Sequence, residues 1–134
     1  SFGVLRMTPL RLTIEGQPRS WKNGKQRTSW GGIRKSNAAA KWQEMATAQL
    51  WEQRAALRLK RPLGGPLRIH IDIYQRGTKN DVDGDNVENG VLDVLKGVII
   101  ADDDVRTLRG GVSWLPHIDR ERPRVEITIQ EVAA

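Results

Sequence analysis

The chain has 134 residues, no cysteine and a formal net charge of +6. That length fits a single domain, expected over residues 1–134, with a core large enough to need no covalent staple. The lack of cysteine excludes disulfides and thiolate zinc sites. No apolar run approaches the roughly 18 residues of a membrane span and no signal-peptide pattern opens the chain, so a reducing cytosol is the expected compartment. The stretch SFGVLR ahead of Met7 is set aside as a candidate expression remnant.

PLRLTIEG (residues 9–16) alternates Leu10, Leu12 and Ile14 with Arg11, Thr13 and Glu15, which predicts a half-buried strand. QPRSWKNGKQRTSWGGIRKS (17–36) has no period and reads as a long loop, the kind that is usually functional or mobile in a compact domain. Its cations, Arg19, Lys22, Lys25, Arg27, Arg34 and Lys35, are interleaved with Trp21 and Trp30. Phosphate contacts beside stacking platforms suit DNA; tryptophans packed back on the body are the plainer alternative.

SNAAAKWQEMATAQLWEQRAALRLK (36–60) predicts a helix capped by Ser36 or Asn37, with Ala46, Leu50 and Leu57 near the buried stripe and its tryptophans in the core. RPLGGP (61–66) stops it. PLRIHIDIYQR (66–76) predicts a second strand, Ile69, Ile71 and Ile73 on one face and His70, Asp72 and Tyr74 on the other. DNVENGVLDVLKG (85–97) predicts a second helix, with Asp85 as N-cap, Glu88 completing a capping box and Gly97 as the stop. VII (98–100) is short and apolar. VRTLRGGVSW (105–114) and RPRVEITIQEV (122–132) both alternate as strands. The order gives an α+β class: one small domain with a mixed sheet of about four strands and two main helices.

Charge is segregated. Residues 81–104 hold eight of the 16 acidic side chains and a single cation, Lys96, leaving 21 basic against 8 acidic residues elsewhere. A basic body points to a polyanionic partner, nucleic acid first. Packed acids repel one another unless something positive lies between them. Asp83 and Asp85 are two apart, so in extended backbone both face one way and can reach one ion. Hard divalent cations such as Mg²⁺ take carboxylate, water and phosphate oxygens, and phosphodiester hydrolysis uses such ions to activate water and stabilise the leaving oxygen. Asp102, Asp103 and Asp104, returned by the helix and the VII segment, would complete the cage. An EF-hand loop counted from Asp81 fails, because position 6 is Asn86 and position 12 is Leu92. Solvated turns with capping acids account for Asp85 and Glu88 but not for two acidic clusters in a basic chain. His70 and His117 lack ligand spacing and read as ordinary strand or loop histidines, and no serine sits in a nucleophile elbow.

DVDGDNVENGVLDVLKGVIIADDDV (81–105) resembles the central motif of the RusA family of Holliday-junction resolvases, encoded mostly by prophages. Asp83, Asp85 and Asn86 match its D-x-D-N, Asp93 its helix aspartate, and the run Asp102–Asp104 its closing D-D pair. The order of elements matches over most of the chain, although only these 25 or so residues are specific. The resemblance implies a RusA-like fold in a symmetric homodimer that binds four-way DNA junctions. With Mg²⁺, or Mn²⁺ as substitute, it would cut two strands symmetrically by metal-activated water, in the cytoplasm of a bacterium or phage-infected cell. It carries catalysis onto Asp83, Asp85 and Asp103, with Asp104 the next metal ligand and Asp102 the last choice. Arg76 and Lys79 join the loop cations as DNA contacts.

One position departs. The family's lysine in the first helical turn is here Asn89, preceded by Glu88. Lys79 or Lys96 would have to supply the cation, or Glu88 would join the metal shell, since 85, 88 and 89 share a helix face. The leading reading is therefore a Mg²⁺-dependent, structure-selective endodeoxyribonuclease. Its rivals are a non-catalytic junction- or branched-DNA-binding protein that keeps the fold without turnover, and a nuclease for other branched or single-stranded DNA.

Overall fold

The computed structural model describes residues 8–18, 25–27, 33–35, 37–77 and 83–133. Four strands, β1 (Leu10–Glu15), β4 (Leu67–Gln75), β5 (Gly111–Ile118) and β6 (Arg124–Glu131), form one sheet in the order β1-β6-β4-β5. Between β1 and β4 in the chain lie a short antiparallel pair, β2 (Lys25–Arg27) and β3 (Ile33–Lys35), and the helix α1 (Asn37–Ala56). The second helix is α2 (Gly84–Leu95). The result is the expected α+β fold with a four-stranded mixed sheet.

Period-2 alternation decides the sheet. Leu10, Leu12 and Ile14 of β1, Ile69, Ile71 and Ile73 of β4, and Val125, Ile127 and Ile129 of β6 all enter one buried cluster with Trp42, Ala46 and Leu50 of α1 and Val87, Val91 and Leu95 of α2. Both helices therefore cover the isoleucine face, and burial of that apolar surface is the main stabilising term. Strands β4 and β5 run parallel. Parallel neighbours need a crossover, and α2 provides it. Pro116, which cannot donate to a ladder, is tolerated because β5 is an edge strand whose neighbour among the described residues is β4 alone.

The opposite edge is closed by side chains. Gln53 exchanges two hydrogen bonds with the backbone of Thr13 (2.8 and 2.7 Å), and Gln49 does the same for Glu15 (2.8 and 3.2 Å). Spaced four apart on α1, the two amides face β1 with the two-residue spacing of its outward N–H and C=O groups, so the edge is not left open for pairing.

Several expectations change. Residues 25–27 and 33–35 are strands within what reads as loop, because three residues are too few to show a period. Helix α1 ends at Ala56, not near Lys60, so Leu57 is exposed and not on the buried stripe. Trp42 is buried as expected, but Trp51 is 49% exposed. The predicted strand at Val105 starts only at Gly111, after a turn, and continues through Pro116 to Ile118.

Candidate nuclease site

The first acidic group is built on the start of α2. Asp83, and not Asp85, is its N-cap. With extended backbone (φ −71°, ψ 115°), its Oδ1 accepts from the N–H groups of Asp85 (3.0 Å) and Asn86 (3.4 Å). Either aspartate can cap a helix by type; a contact from β5 explains the choice. The Trp114 indole Nε1 donates to Asp85 Oδ1 at 2.9 Å, which commits that carboxylate to the sheet side. The same ring lies over Gly84, where an added Cβ would come within 2.2 Å of it. The glycine inside DGDN is thus the gap through which a tryptophan reaches the second motif aspartate.

Glu88, one turn on, completes the group. Burial pushes its carboxyl above the ordinary glutamate value, and the Asp85 carboxylate pushes it further the same way. Among the described residues no cation pairs with Asp83, Asp85 or Glu88, and Asp83 and Asp85 each keep one oxygen unengaged.

The second group follows the buried Val98–Ile100 turn. There Lys96, immediately after α2, reaches Asp102 (3.4 Å) and Asp103 (3.5 Å). The Asp103 N–H donates to Asp102 Oδ1 at 2.8 Å, the largest cause of a lowered Asp102 pKa; burial opposes it and Lys96 adds to it. Hydrogen bonds from the Thr107 side chain and N–H (2.8 Å) lower Asp104, so this carboxylate starts the turn into β5. The Lys96 pKa is raised, first by its hydrogen bond to Asp102.

The acids thus fall into two sets, one on the first turn of α2 and one tied to the residue after its last, across a 12-residue helix about 18 Å long. Among the described residues no group of three or more His, Asp or Glu side chains is close enough to share a metal ion. Asp93 is exposed near the end of α2, beside a groove shared with α1.

Of the expected DNA contacts, Lys25, Arg27, Arg34 and Lys35 fall on the β2–β3 pair, whose register sets Lys25 opposite Lys35. Arg76 is exposed just after β4, and its N–H donates to Gln17 Oε1 at 3.3 Å. Arg19, Lys22, Lys79 and Asp81, with Trp21 and Trp30, lie outside the described residues.

Sequence reasoning missed two features. Trp114 reads as one more strand residue, and nothing local marks its contact 29 positions away. On the other face of the sheet, His70 (3.2 Å) and His117 (2.7 Å) both meet Asp72 Oδ1, and His70 Nδ1 meets Ser113 Oγ at 2.8 Å. Burial raises the Asp72 pKa, but the hydrogen bonds from His117 and His70 outweigh it and the net value is lowered. The His-x-Asp spacing on β4 was the available signal; the parallel register, setting His117 beside Tyr74, supplies the rest.

No curated protein matches the chain. The sequence model of a family described as "Endodeoxyribonuclease RusA" matches residues 15–130, which takes in both acidic groups, both helices and three of the four main-sheet strands, leaving out β1 up to Glu15.

Proposed function

The chain belongs to the RusA endodeoxyribonuclease family, and from that premise we propose that it is a Mg²⁺-dependent resolvase that cuts four-way DNA junctions as a homodimer. The observation that supports this most is the first turn of α2. Asp83 and Asp85 are fixed there by backbone and by Trp114, each with one oxygen unengaged among the described residues, beside a Glu88 whose carboxyl resists ionisation.

These donors fit a hard cation. They are all oxygens, and Mg²⁺ is commonly held by one or two carboxylates, with waters and substrate phosphate oxygens filling the octahedron. The positive end of the α2 dipole works against a cation, but about half a charge is outweighed by two carboxylates. When bound, the ion would supply Lewis-acid stabilisation of the phosphoryl oxygens and a water of lowered pKa.

The chain's own residues do the rest. Asp83 and Asp85 would hold the ion, and Trp114 keeps the Asp85 carboxylate in one orientation, as a neighbour of a ligand does. Asp103, with Asp104 next, is proposed as the further ligand and completes the catalytic set with Asp83 and Asp85; to join, it must leave Lys96. Lys96 then stands as the cation nearest the second group, replacing the lysine absent at position 89. The β2–β3 cations and Arg76 would bind the junction arms, and a twofold partner would place two sites for two symmetric cuts.

A cleavage assay on synthetic four-way junctions with Mg²⁺ tests this. Asp83→Asn should abolish cutting while leaving junction binding in place; cutting at the unmodified rate would remove Asp83 from the site. Junction binding without cutting in Mg²⁺, Mn²⁺ or Co²⁺ by the unmodified chain would favour the binding-only reading, which the missing lysine at Asn89 motivates. Competition between a four-way junction and linear duplex separates a resolvase from a nuclease of other branched DNA.

A further inference from the structure

The end of α1 carries a second basic surface, distinct from the cations of the β2–β3 pair. From Gln53 to Ile71 the chain has no acidic residue and five cations, Arg54, Arg58, Lys60, Arg61 and Arg68. Arg54 is spent on structure. Its guanidinium lies over the Trp51 ring (4.8 Å) and donates to the carbonyls of Leu59 (3.0 Å), Val98 (3.1 Å) and Lys60 (2.8 Å). One side chain thereby fixes the loop after α1 in shape. Arg58, Lys60 and Arg61 project from that loop, all exposed, and none makes an ion pair or side-chain hydrogen bond among the described residues. They rim a groove of about 550 Å³ lined from Arg58 to Gly64.

The backbone at Arg58 adds a second observation. Helix α1 ends in a Schellman arrangement, with Arg58 N–H on the Ala55 carbonyl (3.0 Å) and Leu59 N–H on the Arg54 carbonyl (3.1 Å). The residue after the cap in such an ending is normally glycine, because its φ is positive, and here φ is +56° at an arginine. A bulky side chain in that conformation carries a local cost, which glycine would remove. An arginine thus stands where the backbone alone would favour glycine.

The groove also has a defined neighbour. Leu63, on its wall, pairs with the segment that leads into the second acidic group: its N–H donates to the Ile99 carbonyl and its own carbonyl accepts from Ala101, one residue before Asp102. Three uncompensated cations on a preshaped loop beside a nuclease's carboxylates match a polyphosphate backbone, because each phosphate contact releases condensed counterions. We propose that the Arg58–Gly64 loop is a phosphate-binding surface that grips the backbone of a DNA arm next to Asp102–Asp104. This rests on the nuclease reading for its substrate.

The test measures binding of a fluorescent four-way junction and a linear duplex, without divalent metal, across a KCl series. The full chain is compared with Arg58→Gln/Lys60→Gln/Arg61→Gln and with Arg58→Gly. Each lost phosphate contact lowers the slope of log K against log[salt] by about 0.9, so the triple variant should lose up to about 2.7. Arg58→Gly should lose about 0.9 while its melting temperature stays equal or rises, a combination a merely structural arginine would not give. An unchanged slope in the triple variant overturns the proposal, as does a lowered melting temperature with unchanged affinity in Arg58→Gly. The resolvase reading fails separately: if the unmodified chain binds DNA through this loop yet never cuts junctions, the surface stands and the activity does not.

Discussion

The two acidic groups have similar compositions and opposite electrostatics. After Ile100, Asp102 and Asp104 have lowered pKa values, and Lys96 bridges Asp102 and Asp103. At the first turn of α2, Glu88 is raised and the Asp85 charge contributes to it. A cluster that carries its own cation has part of its charge offset and gains less from another. A cluster whose members still repel one another has negative potential left over, which an external cation would satisfy. On that contrast, the proposed metal affinity lies first at Asp83 and Asp85, before any third carboxylate is considered.

The hardest test of that contrast is to remove one carboxylate from each group. Asp85→Asn should slow junction cleavage on the order of 10²- to 10³-fold, since metal stabilisation of the transition state is worth several kcal/mol and each 1.36 kcal/mol is tenfold. Asp102→Asn, whose charge is already held by the Asp103 N–H and partly offset by Lys96, should slow it less than about threefold, because under one kcal/mol is then at stake. Single-turnover rates at saturating Mg²⁺ compare the two. Equal losses would erase the distinction between the groups.

A smaller effect follows from the Trp114 contact. Trp114→Phe keeps a ring over Gly84 but deletes the donor to Asp85, and orienting partners of metal ligands are typically worth 10- to 100-fold. Calorimetric titration with Mn²⁺ should show that loss in affinity, with little change in melting temperature. Gly84→Ala attacks the same contact sterically. Its Cβ would meet the indole at 2.2 Å, so the variant should also lose stability, by about 1–3 kcal/mol as in other overpacked sites. If Trp114→Phe binds Mn²⁺ as the unmodified chain does, the indole is packing only.

The main sheet was readable because Ile69, Ile71 and Ile73, like Val125, Ile127 and Ile129, repeat at the period of a half-buried strand. Where the deciding interaction is distant, the pattern falls silent. Two aspartates can each cap α2, and it is a β5 tryptophan that holds the second and leaves the first to cap. The end of α1 was overrun because Arg58 takes the left-handed conformation without the glycine that announces it. The carboxylates were legible by type and spacing. Their division into a group that holds a lysine and a group that does not was not, since it depends on where Lys96 lies after α2 has formed.

Removing Lys96 probes the other half of the comparison. Lys96→Gln leaves Asp102 and Asp103 without that cation, so the lowered Asp102 pKa should rise in NMR titration. The effect on melting temperature should be small, because the pair is exposed to solvent. If Lys96 also supplies the missing first-turn lysine, cleavage falls in this variant while DNA binding holds. Equal cleavage would leave the second group's cation purely structural.

The smallest expected effect has the sharpest sign. The folded pKa of Glu88 lies above the ordinary 4.5, so the native state resists its ionisation. Below pH 4.5 the carboxyl is protonated in both folded and unfolded chains and contributes no penalty. As pH rises through the folded value, the folded chain must ionise a half-buried group beside Asp85, and the stability present at low pH is lost. Glu88→Gln removes that step, so the variant should be the more stable of the two at pH 7 and equal to the unmodified chain near pH 4. Urea unfolding at the two pH values measures the difference. A variant that is less stable at pH 7 would mean that the Glu88 carboxylate already has a favourable partner, and the first turn of α2 would then no longer be the unneutralised group.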